Sequence, residues 1–384
     1  MATAFPYDRY VTGRNFTGRR NERKSLGNLI SQNEHVAIYE PENSGKSSLV
    51  QQVLLDLRLS GRQFAAARLS LMGIRTLQDF LIAYGSAVIK AVAATPDEYA
   101  SLVSGYLADT HFVFDGQAFS ERGEIISTTW TPGPSDIDAM LALPGSLASR
   151  GLPIVFMIEE FQNIVFCDDG NDSLLRALEK AISSQKSSEG PKCTYLFMGS
   201  RVNAMKEIFE KRHFFYRFVQ HFPIGEVSER DIIDYVVRGF VTSGKVVEKE
   251  LLLGMCKLFR NNMWYINSFI SICDSLSKGY ISEPILVEAL DSVIALQRPR
   301  FKMIMDDLTT FQVNLLRAIL EGNKKFSSTE VIRHYALNSS ANVKRLKDAL
   351  CKKEIITFDD MDEPVVLDPL FEYWAKKYYF KIRE

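Results

Sequence analysis

A chain of 384 residues with a formal net charge of −1 carries no global positive field that would hold nucleic acid. Its 46% hydrophobic and 24% charged residues are the mix of a soluble globular protein, and the length implies two or three domains. The five cysteines, Cys167, Cys193, Cys256, Cys273 and Cys351, form no C-x-x-C pair and read as reduced core thiols of a cytoplasmic protein. No charged-then-apolar start marks a signal peptide. No apolar run approaches the roughly 20 residues that span a bilayer, so no membrane partner is expected.

Residues 1–18 read as an extended arm, and Arg19 to Ile30 as a helix with Leu26, Leu29 and Ile30 on one face. The apolar run His35 to Tyr39 fits a buried strand. A polar loop follows it, then helical spacing from Ser47 to Arg58. Phe64 to Leu69 is a second strand, residues 76–109 are mostly helical, and 110–135 read as a loop or insertion. A helix over Ser135 to Ser149 leads into Leu152 to Ile158, the strongest buried strand, with Pro153 at its tolerant first position. A helix over Leu174 to Ser184 and a polar stretch, Ser183 to Lys192, come before a strand over Cys193 to Met198. A helix over Arg201 to Arg212 and a short strand near Val219 to Phe222 follow. This alternation predicts an α/β fold, a parallel sheet with helices on both faces.

After Ile224 the strand signal stops. Four helical segments, Ser228 to Phe240, Lys249 to Phe259, Trp264 to Lys278 and Glu283 to Leu296, make a helical subdomain, with a linker expected near Arg298-Pro299-Arg300. Three short helices and a hairpin (Ile355 to Phe358, the turn Asp359-Asp360-Met361-Asp362-Glu363, Pro364 to Leu367) then describe a winged helix. The expected domains are 1–224, with a helical insertion at about 72–150, then a helical lid at 225–300 and a winged helix at 301–384.

Glu40-Pro41-Glu42-Asn43-Ser44-Gly45-Lys46-Ser47-Ser48 lies between strand and helix and has the make-up of a phosphate-binding loop. Backbone N–H groups from Ser44 to Ser48, at the positive end of the following helix, are suited to phosphate oxygens. Gly45 lets the backbone curl close, Lys46 supplies a cation, and Ser47 offers a hydroxyl to Mg²⁺. The expected nucleotide-binding set is Pro41, Ser44, Gly45, Lys46, Ser47 and Ser48. Glu40 stands where the usual G-x-x-x-x-G-K-[ST] pattern has glycine, and its carboxylate is expected to point away from the phosphates.

Hydrolysis also needs acids. Glu159 and Glu160 end the strongest strand. Glu159 is suited to the Mg²⁺ shell and Glu160 to activating water, although the first position is usually Asp. Ser200, at the end of the next strand, is placed to bond the γ-phosphate or the attacking water, its alternative being a helix cap. Arg217 is a candidate to reach the γ-phosphate. Lys46, Glu160 and Ser200 are the expected catalytic residues.

Taken together these segments resemble the archaeal-type ATPases of the STAND branch of P-loop NTPases, relatives of the AAA+ and origin-recognition ATPases. Phe16-Thr17-Gly18-Arg19-Arg20-Asn21-Glu22 looks like the F-x-G-R-x-x-E motif, which by resemblance places Gly18 and Arg19 by the nucleotide. Tyr39 to Leu49 resembles Y-G-P-R-R-x-G-K-T-S-L, and Ile158 to Asn163 resembles the h-D-E-F-Q-x box. Met198-Gly199-Ser200 and Leu367 to Trp374 match the G-S and D-P-h-h-x-x-W segments. Arg260 to Tyr265 aligns with a lid motif but lacks its glycine and proline. The resemblance implies a nucleotide-driven signalling switch, oligomeric in some members, using ATP and Mg²⁺. ATP over GTP rests on it, since no N-K-x-D guanine motif stands in a suitable place.

Phe311 to Glu384 holds 13 Lys/Arg and 11 Asp/Glu, a net of +2, and its wing turn is acidic. DNA binding through Lys344, Arg345, Lys347, Lys352 and Lys353 and docking on a protein partner therefore both stay open. The leading expectation is an ATP-hydrolysing switch. The alternatives are a nucleotide-binding regulator with little or no hydrolysis, which Glu40 and Glu159 favour, and a DNA-binding regulator gated by nucleotide.

Overall fold

The apolar run His35–Tyr39 forms β1, every residue of it buried, in a computed structural model that describes residues 5–149, 151–168, 171–185, 190–359 and 361–382. Part of the polar stretch before the fourth strand (186–189) and Asp360 of the wing turn lie outside the described residues. The chain divides into two compact units that do not follow chain order. One is Met1–Arg20, Pro41–Gln52 and Gly225–Glu384. The other is Asn21–Glu40 and Val53–Ile224. The arm up to Arg20 and the segment Pro41–Gln52 thus group with residues 225–384.

The second unit holds a parallel five-stranded sheet in the order β2-β3-β4-β1-β5, with β2 Ala65–Ser70, β3 Ile154–Glu159, β4 Cys193–Gly199 and β5 Val219–His221. All its strands run one way, so their carboxyl ends share one edge, where Tyr39 pairs with Gly199 and Glu159 with Met198. Helices cover both faces: α1 Arg20–Ser31, α2 Lys46–Leu59, α3 Leu77–Val92, α6 Pro134–Ser149, α7 Ser173–Ser184 and α8 Val202–Lys206. Between α3 and α6 stand α4 Pro96–Tyr106 and α5 Gly116–Arg122. Thr95 and Glu98 close a capping box on α4. The 110–135 stretch is more ordered than its broken periodicity implies. Asp115 caps α5, Gly123 ends it in the left-handed region, and Val113 bridges Ser127. Phe161, Phe197, Phe209 and Phe215 pack together beside β3 and β4.

The first unit contains α9 Glu229–Thr242, β6 Val246–Val247, α10 Lys249–Leu258, α11 Met263–Leu276, β7 Tyr280–Ile281 and α12 Glu283–Asp306. The winged helix follows: α13 Thr310–Leu320, α14 Thr329–His334, α15 Ser340–Lys352, the antiparallel pair β8 Ile356–Phe358 and β9 Pro364–Val366, and α16 Pro369–Trp374. No linker separates lid from winged helix, because Arg298, Pro299 and Arg300 lie inside the 24-residue α12. Pro299 removes one backbone bond. However, Val293 and Ile294 before it and Phe301 and Met305 after it are buried in one core, and that packing carries the helix through. Phe301 meets Phe371 at 5.6 Å and Trp374 at 5.5 Å, so lid and winged helix share this core.

Candidate nucleotide site

The loop leaves the carboxyl end of β1, and α2 begins at Lys46. The first-turn N–H groups of any helix lack intrahelical acceptors, so those opening α2 suit an anion. Gly45 has φ +90, a conformation that L side chains avoid. Lys46 curls back over its own loop, its Nζ donating to the Pro41 carbonyl at 2.8 Å and to Ser44 Oγ at 3.4 Å. Arg19 braces the loop from outside, with Nη2 donating to the Ser44 carbonyl at 2.8 Å. The Glu40 carboxylate accepts the Ile224 N–H at 3.2 Å.

Gly45, Lys46, Ser47 and Ser48 line a cavity of about 440 Å³, within the range of small-molecule sites. Its other walls are Asn43, the arm from Pro6 to Val11, and Met263, Trp264 and Asn267 of α11. Composition marked the arm only as extended, while the lid alignment of Arg260 to Tyr265 pointed to Met263 and Trp264 without its usual glycine and proline. The arm is held at several points. Phe5 is fully buried against Tyr235 and Phe240, where an added Cβ at Gly239 would lie 2.1 Å from its ring. The Val11 N–H donates to Ser48 Oγ at 3.1 Å and the Gly13 N–H to Gln52 Oε1 at 2.7 Å.

Several expected residues do other work. Gly18, Arg19, Pro41 and Ser44 do not line the cavity. Gly18 has φ +67, and a Cβ there would lie 2.7 Å from Val227 Cγ1, so glycine is required for close packing against the start of α9. Ser48 accepts from the arm, while Pro41 and Ser44 present oxygens to Lys46 and Arg19.

At the sheet's carboxyl edge, Glu160 stands one residue past β3 with φ 53, a left-handed conformation uncommon for glutamate. Its carboxylate accepts Ser200 Oγ at 2.6 Å and Gln162 Nε2 at 2.7 Å. Ser200 therefore pairs with the acid rather than capping α8, whose N-cap is Arg201. Gly199 makes room for this, since a Cβ there would lie 2.7 Å from Gln162 Oε1. Glu159 is committed differently, with Oε2 accepting Arg68 Nε at 3.0 Å and Nη2 at 2.8 Å. Arg217 stands elsewhere in the sheet. It lies two residues before β5, and Val219 pairs with His35 at the first residue of β1. It thus stands at the amino edge, roughly 13 Å along the strand from the carboxyl edge at about 3.3 Å per residue. The structure does not bring it to Glu160 and Ser200.

The loop suits an anionic phosphate: a glycine at positive φ, a lysine and a helix start all line one cavity. Among the described residues no group of three or more His, Cys, Asp or Glu side chains could hold a metal. Mg²⁺ needs none, because it keeps waters and phosphate oxygens as ligands. Four cysteines are buried and Cys351 is half-buried, none of them in a disulfide, and no helix among the described residues is long and apolar enough to cross a membrane.

Residues 299–377 match the family described as "Probable winged helix domain". No curated protein matches the chain. Among solved structures the chain is similar to the Walker-type ATPase paby2304 of Pyrococcus abyssi, with 15% identity, 97% of this chain and 99% of that one covered, and a TM-score of 0.66. It is also similar to the ORC2 protein of Aeropyrum pernix. The ADPNP–ADP complexes match at 13% identity, 96% and 93% coverage and a TM-score of 0.57. The ADP form matches at 12% identity, 99% and 98% coverage and a TM-score of 0.56. The fold is that of a P-loop ATPase, with a central parallel sheet, a helical lid and a C-terminal winged helix.

Proposed function

We propose that this protein binds ATP and hydrolyses it slowly as a molecular switch of the STAND and AAA+-like class. The observation that carries the reading is the cavity shared by Gly45 to Ser48, the arm and α11. Helix α2 and Lys46 neutralise phosphate charge. Glu160 accepts the proton of the water that attacks the γ-phosphate, giving ADP and phosphate, and Ser200 holds the carboxylate. Bound Mg²⁺ would neutralise charge on the terminal phosphates, with Ser47 and Glu159 the residues suited to it. The order of the motifs along the chain supports the class. The neighbours' complexes with ADP and ADPNP support nucleotide as ligand. The buried free cysteines fit a reducing cytoplasm.

A second reading is a nucleotide-binding regulator with little turnover, acting through a protein partner, a second copy or DNA. It is favoured by the two acids, each already engaged: Glu159 by Arg68, and Glu160 by Ser200 and Gln162. Steady-state Mg-ATP hydrolysis beside Lys46→Ala and Glu160→Gln separates the two. The switch reading expects wild-type turnover, its loss in both variants, and ATP binding kept in Glu160→Gln but weakened in Lys46→Ala. Wild-type turnover no higher than Lys46→Ala, with binding intact, leaves the regulator reading.

A further inference from the structure

Glu159 departs in two ways from the aspartate usual at the end of this strand. It is one methylene longer, and its carboxylate already carries the bonds of a cation. Arg68 of β2 donates to it from Nε at 3.0 Å and from Nη2 at 2.8 Å, and both bonds fall on Oε2. The sheet sets up this pair. In the parallel register Arg68 lies opposite Met157 and Ser70 opposite Glu159, and the Leu71 N–H donates to the Glu159 carbonyl at 2.9 Å. Arg68 therefore stands diagonal to Glu159 on one face of the sheet, within reach of two long side chains. The Glu159 side chain is 14% exposed and that of Arg68 48%. An ion pair with a half-exposed member contributes little to stability, and its guanidinium can exchange its bonds for water. Mg²⁺ also takes carboxylate oxygens. Arginine and metal thus call on the same group.

We infer that Arg68 competes with the divalent cation for Glu159 and so sets how tightly the nucleotide site takes its metal. The inference rests on the nucleotide-binding reading and adds a residue that governs the metal. While Arg68 holds Oε2, the carboxylate charge is balanced within the sheet, and a second cation gains less from it. When metal engages the carboxylate, the guanidinium turns to water. Mg²⁺ keeps phosphate oxygens and waters as ligands in either case. The longer glutamate belongs to the same device, since its extra methylene extends the carboxylate beyond where aspartate would end.

The test is Mn²⁺ binding to the full chain saturated with the ATP analogue ADPNP, followed by electron paramagnetic resonance. Mn²⁺ stands in for Mg²⁺ because it takes the same oxygen ligands. Arg68→Gln is expected to tighten Mn²⁺ about fivefold, the size of a partly exposed ion pair. In a Glu159→Gln background the same substitution is expected to change nothing, because the contested carboxylate is gone. Equal Mn²⁺ affinity in wild type and Arg68→Gln overturns the inference. So does tightening of equal size in the Glu159→Gln background, which would make Arg68 a charge acting at a distance. Calorimetric titration with ADPNP in the absence of metal keeps the underlying reading separate. If wild type binds ADPNP and Lys46→Ala does not, while Mn²⁺ affinity ignores Arg68, the nucleotide site stands and the competition falls. If wild type binds no ADPNP with or without metal, the nucleotide reading itself falls.

Discussion

Ser200 donates its hydroxyl to the Glu160 carboxylate at 2.6 Å, joining the ends of β4 and β3 across 40 positions of sequence. With Gln162 on the same carboxylate, the acid has a defined orientation although its backbone is left-handed. Ser200→Ala should therefore lower kcat about tenfold and leave the KM for ATP nearly unchanged. Glu160→Gln should lower kcat by roughly a hundredfold or more, the usual range for a lost general base. Steady-state kinetics on both variants checks this. A change confined to KM in Ser200→Ala would place the hydroxyl on bound nucleotide instead.

Gly13 and Gly18 both have positive φ, but only Gly18 is closely packed. Gly13→Ala should cost about 1 kcal/mol, from backbone strain alone. Gly18→Ala should cost about 2–3 kcal/mol, because its Cβ also meets Val227. Equilibrium unfolding in denaturant measures the difference, and equal costs would mean that the start of α9 shifts freely.

Asp368 joins three elements of the first unit. It caps α16 through the Leu370 and Phe371 N–H groups at 3.0 Å, accepts the Tyr265 hydroxyl at 2.9 Å, and pairs with Arg300 at 3.0 Å. Asp368→Ala should destabilise the chain by about 2–3 kcal/mol. Asp368→Asn, which keeps the cap, should cost less. Hydrogen exchange should show the loss in α16 first, and protection there equal to wild type would refute the coupling.

Much of the winged helix's positive charge near α15 is engaged. Lys347 lies 5.0 Å from both the Phe326 and Phe358 rings, Lys353 is paired with Asp307, and Lys324 with Glu363. Lys344, Arg345 and Lys352 remain exposed on α15. If duplex DNA binds through these three, log K should fall with log salt at a slope no steeper than about −3. Fluorescence anisotropy across a salt series measures it. A slope twice as steep would require contacts beyond these three residues, for example through Lys325 or Arg333.

The strand–loop–helix around Gly45 was legible because its logic is local. A buried strand, a glycine and a helix start follow one another within fifteen residues, His35 to Leu49, and each is set by its neighbours in the chain. The parallel sheet and the hairpin wing were legible for the same reason, since alternation and turn residues are short-range signals. The place of Arg217 was not legible, because composition shows an arginine near a strand but not the edge at which that strand starts. The expected linker at Arg298 to Arg300 failed because proline's local signal lost to burial of Phe301 and Met305 in a shared core.

By itself, then, the sequence determined the strand–loop–helix around Gly45, the acidic end of β3 and the hairpin wing, all properties of neighbouring residues. Only the tertiary structure decided the far wall. Residues 6–11 and 263–267 meet the loop because Phe5 is buried in the lid core and Asn267 binds the Pro6 carbonyl. Burial and hydrogen bonding between segments some 250 positions apart depend on which helix faces pack together, and no pattern within either segment carries that information.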